Sequence, residues 1–196
     1  MKEKYQPLSI IVYGSFADGS DNENSDLDIL LISKDSTCIH DTSIQNGIQL
    51  DAFVKPKDSF ADFNLEDYVQ IFDGIVVFDT DDFGKKLINK VNRYLDCLPK
   101  RTNEEKKEEV SWCQKMLLRI QRNDTEGLYR WHWLLIDSLS IYFDVIDVSY
   151  HGPKKALIFM KENHPDAYIL YDSALRKMDS VSVRNWIFFI SEALNK

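Results

Sequence analysis

The hydrophobic period of this chain changes once, near residue 82, and that change limits the fold more than any other feature. Before it, apolar residues come in short β-branched runs: 8–13 (LSIIVY), 27–32 (LDILLI), 48–54 (IQLDAFV) and 74–78 (GIVVF). Near-continuous apolar strands of this kind suit a sheet covered on at least one face by helices. The stretch SFADGSDNENSD between the first two runs is too long for a tight hairpin and has room for one helical turn and a loop.

Beyond residue 82 the spacing becomes helical. Phe83, Leu87, Val91, Tyr94 and Leu98 form one stripe, which Pro99 ends. Thr102 and Glu105 have the spacing of a capping box, ahead of a stripe through Val110, Cys113, Leu117 and Ile120. Leu128, Trp131, Leu135, Tyr142 and Ile146 mark a long third helix, and YHGP at 150–153 breaks it. Helices are expected over 154–163 and around 168–177, and a last one through Val183, Trp186, Ile187, Ile190 and Leu194. The pattern divides into an α/β unit over 1–80 and a helical bundle over 81–196.

Composition narrows the partners. The 196 residues are 44% hydrophobic and 12% aromatic, enough to fill a core rather than stay disordered. A formal net charge of −8 argues against a general nucleic-acid binder, which needs a basic face to displace counterions. Cys38, Cys97 and Cys113 show neither disulfide nor zinc spacing and read as reduced thiols. The apolar run after MKEKYQP is too short for a signal peptide or a membrane span, so a cytoplasmic protein with no membrane partner is expected.

The chemistry sits in the first third. Gly14-Ser15 is followed, after ten residues, by Asp26-Leu27-Asp28, and Asp51 lies within a later apolar run. Carboxylates at i and i+2 of a strand share a face, so Asp26 and Asp28 can converge on one cation while Leu27 and Ile29 point to the core. Asp51 on a neighbouring strand can reach the same place. Hard oxygens gathered this way suit Mg²⁺, which takes a few carboxylates, water and substrate phosphates. Gly14 lets the backbone pass close to a phosphate, and Ser15 adds a hydroxyl beside amides at an expected helix start.

YGSFADGSDNENSDLDILLI together with LDAF resembles the signature of the nucleotidyltransferase superfamily that includes DNA polymerase beta and the aminoglycoside nucleotidyltransferases. The resemblance implies an α+β fold: a small mixed sheet backed by helices, with a helical bundle after it as in antibiotic nucleotidyltransferases. It also implies that an acceptor hydroxyl attacks the α-phosphorus of a bound NTP, ATP being the expected one, and that pyrophosphate leaves. Asp26 and Asp28 would then hold the metal that binds the triphosphate. Asp51 would hold a second Mg²⁺ or take the acceptor's proton, with Glu126 or Asp137 of the bundle as alternative bases. Many relatives carry Arg or Lys where this chain has Asp18. Many also have a helix before the first strand, where this chain has only seven residues before Leu8; the sheet would then lack helical cover on one side, or borrow it from the bundle or from a second copy, as a homodimer.

Four features of the second half are read more plainly. The Gly-Pro turn of YHGPKK could bring Lys154 or Lys155 to the β- and γ-phosphates, although a solvated helix start accounts for the same residues. Trp131 and Trp133 read as packing rather than as a stacking platform. His132 fits no catalytic spacing. NEEKKEE at 103–109 reads as a solvated first helical turn. The expected acceptor is a small hydroxyl-bearing molecule, aminoglycoside- or lincosamide-like. The alternatives are an antitoxin-type enzyme that adenylylates a protein and an NTP-binding module without turnover.

Overall fold

A computed structural model describes residues 2–36, 38–122 and 124–195. Their contacts separate into two compact units, Met1–Leu98 and Pro99–Lys196.

In the first unit the apolar runs become strands β1 (Pro7–Tyr13), β2 (Leu27–Ser33), β5 (Ile48–Pro56) and β6 (Ile75–Asp79), with two short strands, β3 (Ile39–Asp41) and β4 (Ile44–Gln45), ahead of β5. The sheet is mixed, ordered β3-β5-β2-β1-β6 with β4 paired to β5. β2 runs parallel to β5, and the remaining pairs are antiparallel. Central β2 is buried on both faces from Ile29 onward, which is why its sequence reads as an unbroken apolar run.

Strands β3 and β4 are absent from the pattern of long apolar runs, yet their signal was in the sequence. Asn46-Gly47 forms a two-residue turn with φ of 52° and 83°, the left-handed pair that such a hairpin requires. From this turn Gln45 pairs with Ile48, Ile44 with Gln49, Asp41 with Ala52 and His40 with Phe53 in one unbroken register.

One face of the sheet carries Ile11, Tyr13, Leu30 and Ile32, packed with Ile71, Leu87 and Val91. The last two belong to helix α3 (Phe83–Asp96), and Ile71 to the 3-10 helix Leu65–Ile71. Helix α3 therefore belongs to the sheet unit, and the break between units falls after Leu98 rather than near residue 80. Periodicity marks the type of an element; what the element packs on is a tertiary matter. The other face buries Ile10, Ile29, Leu31, Leu50, Ala52 and Val54 around Tyr5. Tyr5 ends a short helix, α1 (Lys2–Tyr5), ahead of the first strand. The stretch after β1 holds the single helical turn that its length allowed, α2 (Ser15–Asp18).

The second unit is the expected bundle: α4 (Asn103–Arg119), α5 (Thr125–Val145), α6 (Pro153–Asn163), α7 (Pro165–Lys177) and α8 (Ser180–Leu194). Thr102 and Glu105 make the capping box, each side chain hydrogen-bonded to the other's backbone N–H at 3.2 and 2.8 Å. Trp186 of α8 is fully buried and donates from Nε1 to Ser138 Oγ at 2.9 Å. Trp131 is buried as packing, whereas Trp133 is 41% exposed and donates from Nε1 to Asp137 Oδ2.

Candidate active site

The sheet register builds the site. Tyr13 of β1 lies opposite Asp28 of β2, and Asp28 lies opposite Asp51 of β5. Residues directly opposite in a sheet project from the same face, with strands about 4.8 Å apart. Tyr13, Asp28 and Asp51 therefore form one row across three strands. The Tyr13 hydroxyl is pushed up to about 12, first by burial and then by the charges of Asp28 and Asp51, so it remains a neutral donor near two carboxylates.

Gly14 directly follows Tyr13, with φ 67° and ψ −148°, a region that side chains strongly disfavour. A Cβ there would lie 2.3 Å from Asp28 Oδ2. The glycine thus lets the backbone turn over the Asp28 carboxylate. Ser15 opens α2, where the amides of Ala17 and Asp18 close on the Gly14 carbonyl at 3.0 and 3.2 Å.

Asp26 lies outside this row. It is exposed, immediately before β2, and lines an open cleft of 600 Å³ with Phe16, Asp21, Glu23, Ile44 and Gln49. Among the described residues, no group of three or more His, Cys, Asp or Glu side chains is placed to hold a metal ion. The strand register sets Asp28 opposite Asp51, and Asp26 lies one residue before the paired part of β2. Asp26 precedes the first strand-paired residue, so ladder pairing does not fix its position.

The sequence reading missed His40. Its Nε2 stands 2.5 Å from Asp51 Oδ1, and its ring stacks on Phe53 with centroids 4.3 Å apart and planes within 7°. Counting back from Asn46-Gly47 along the hairpin would have placed His40 one diagonal step from Asp51.

The second unit holds the other candidates. Lys154 and Lys155 occupy the first turn of α6, entered through Gly152 at φ 89°. Glu126 is held by Arg130 and Arg122. The Arg130 hydrogen bond, followed by both positive charges, lowers its carboxyl below the ordinary range and makes it a weaker base. Asp137 accepts the Trp133 indole N–H at 2.5 Å. The three cysteines are free; Cys113 is buried, and burial pushes its thiol up to about 12.

The family model described as "Nucleotidyltransferase domain" matches residues 1–119. No curated protein sequence matches the chain. A solved nucleotidyltransferase-like protein from Exiguobacterium sibiricum is similar at 15% identity and a TM-score of 0.41, over 96% of this chain and 69% of that one.

Proposed function

The chain belongs to the nucleotidyltransferase family, and on that premise we propose that it moves AMP from ATP to a hydroxyl of a small acceptor, releasing pyrophosphate. The observation that carries the reading is the row itself: Asp28 and Asp51 opposed on parallel strands, with Gly14 letting the backbone pass directly against the Asp28 carboxylate.

These residues fit Mg²⁺. The ion needs near-octahedral oxygen donors and is usually held by one or two carboxylates plus substrate phosphates, and two opposed carboxylates supply that much. Asp28 and Asp51 would hold it, with Asp26 joining from the adjacent cleft. When bound, Mg²⁺ supplies positive charge against the triphosphate and the pyrophosphate that leaves. The remaining chemistry is assigned to the chain. Gly14 and Ser15 admit the phosphates close to the backbone. The acceptor oxygen forms a bond to the α-phosphorus, the bond from that phosphorus to the bridging oxygen breaks, and pyrophosphate departs with the electron pair. Asp51 takes the hydroxyl proton wherever it is not serving as a ligand.

For the acceptor we favour a cationic, hydroxyl-rich small molecule, as aminoglycosides are. Asp21, Glu23 and Asp26 give their side of the 600 Å³ cleft a negative lining, and that volume is in the range of small-molecule sites.

The test is titration calorimetry of MgATP on wild type, Asp26→Ala and Asp28→Ala, followed by pyrophosphate release with a panel of amino sugars. Both variants are expected to stay folded and to lose transfer by at least about a hundredfold, the scale on which removing one preorganised charge-stabilising group acts. Near-normal turnover in either variant would sink its assignment. A labelled protein band after incubating lysate with labelled ATP would move the acceptor from small molecule to protein.

A further inference from the structure

We propose that His40 is a positioning residue for Asp51, holding one carboxylate oxygen so that the other is presented to the reacting centre. The proposal rests on the reading of Asp51 as metal ligand or base. Three observations converge on it.

The first is the contact, Nε2 to Oδ1 at 2.5 Å. Among the described residues Asp51 makes no other hydrogen bond or ion pair, so its second oxygen is uncommitted. The second is how the imidazole is fixed. The His40 and Asp51 side chains are 48% and 36% exposed, and an exposed histidine ordinarily samples several rotamers. Here the ring lies flat on Phe53, its partner across β3 and β5. Stacking removes the freedom that would make a surface pair weak. The third is direction. β3 lies on the side of β5 away from β2, so His40 approaches Asp51 from the flank opposite Asp28. A donor on that side offsets part of the repulsion between the two carboxylates.

Partners that orient a ligating or catalytic carboxylate typically change metal affinity or activity by about 10- to 100-fold when removed. A surface pair without such a role changes neither.

Mn²⁺ affinity, read by electron paramagnetic resonance, separates the two. His40→Phe keeps a ring on Phe53 and loses the donor, and should bind Mn²⁺ about 10- to 100-fold more weakly, with the thermal midpoint unchanged. His40→Gln restores a donor and should recover most of that loss. Histidine nitrogen chemical shifts in the metal-free protein give an independent readout: Asp51→Asn should move the His40 Nε2 resonance and leave the other histidines in place.

Mn²⁺ binding by His40→Phe equal to or tighter than wild type, while Asp28→Ala has lost it, overturns the positioning role alone. Binding that Asp28→Ala leaves intact, or none in wild type, overturns the metal site and the positioning role with it. A His40 resonance indifferent to Asp51→Asn overturns the pairing itself.

Discussion

At Gly14 a single missing carbon decides whether two functions of the chain are compatible. The position combines φ 67° with ψ −148°, and a methyl group there would sit 2.3 Å from Asp28 Oδ2. Gly14→Ala therefore imposes backbone strain of about 1–3 kcal/mol and displaces a carboxylate of the candidate site. The expected outcome is a stability loss of that size in urea, accompanied by a loss of MgATP binding larger than the unfolding accounts for. Wild-type binding in a destabilised Gly14→Ala would show that Asp28 is not held where the nucleotide needs it. The sequence marked Gly14, Ser15, Asp26, Asp28 and Asp51 because each is a residue type at a local spacing. His40 carried no such mark. Its partner is eleven residues away, and only pairing across the hairpin brings the two together.

Among the elements, α3 shows how a helix can be legible in type and not in placement. Its stripe of Phe83, Leu87 and Val91 announced a helix, but nothing local showed that it would pack on β1. The contact is close at Gly84, where a Cβ would lie 2.1 Å from Ser9 Oγ and 3.3 Å from Ser9 Cβ. Ser9 is fully buried, and its hydroxyl has no hydrogen-bond partner among the described residues. Alanine is the better helix former by about 1 kcal/mol, yet overpacking at such a contact costs about 1–3 kcal/mol. Gly84→Ala should therefore destabilise the protein, and Ser9→Ala alone should stabilise it by about 1 kcal/mol through loss of an unsatisfied hydroxyl. The double variant should recover most of the Gly84→Ala loss, because the nearest remaining approach is 3.3 Å. Additive effects in chemical denaturation would mean that α3 does not sit against Ser9. The hairpin of β4 and β5 is the opposite case: Asn46-Gly47 was a sufficient local signal for its turn and its register.

For the molecule as a whole, acid stability should report the tie between its N-terminal helix and the far edge of the sheet. Asp41 of β3 accepts hydrogen bonds from Tyr5 Oη at 2.6 Å and Lys4 Nζ at 3.0 Å, and from the Ser43 amide at 3.0 Å. These bonds, Tyr5 first and then Ser43 and Lys4, hold its carboxyl well below its ordinary value of 3.8. A carboxyl depressed in the folded state contributes stability that is complete above its unfolded value and is lost as pH falls toward the folded one. Asp41→Asn should thus be less stable than wild type at pH 7, with the gap narrowing below about pH 4. Parallel melting curves of the two proteins from pH 7 to 2 would show that the tie carries no weight.

What the sequence by itself determined is whatever depends on near neighbours: strand and helix type from the hydrophobic period, the capping box at Thr102 and Glu105, the helical turn after Gly14, and the spacing that marks the family. The tertiary structure decided which strands lie side by side and in what register. That placed Asp28 opposite Asp51, left Asp26 at the rim of an open cleft and assigned α3 to the sheet. The physical reason is one of range. Period, capping and turn chemistry act within a few residues, whereas strand order is chosen by which apolar faces can be buried together, a choice made over the whole unit at once.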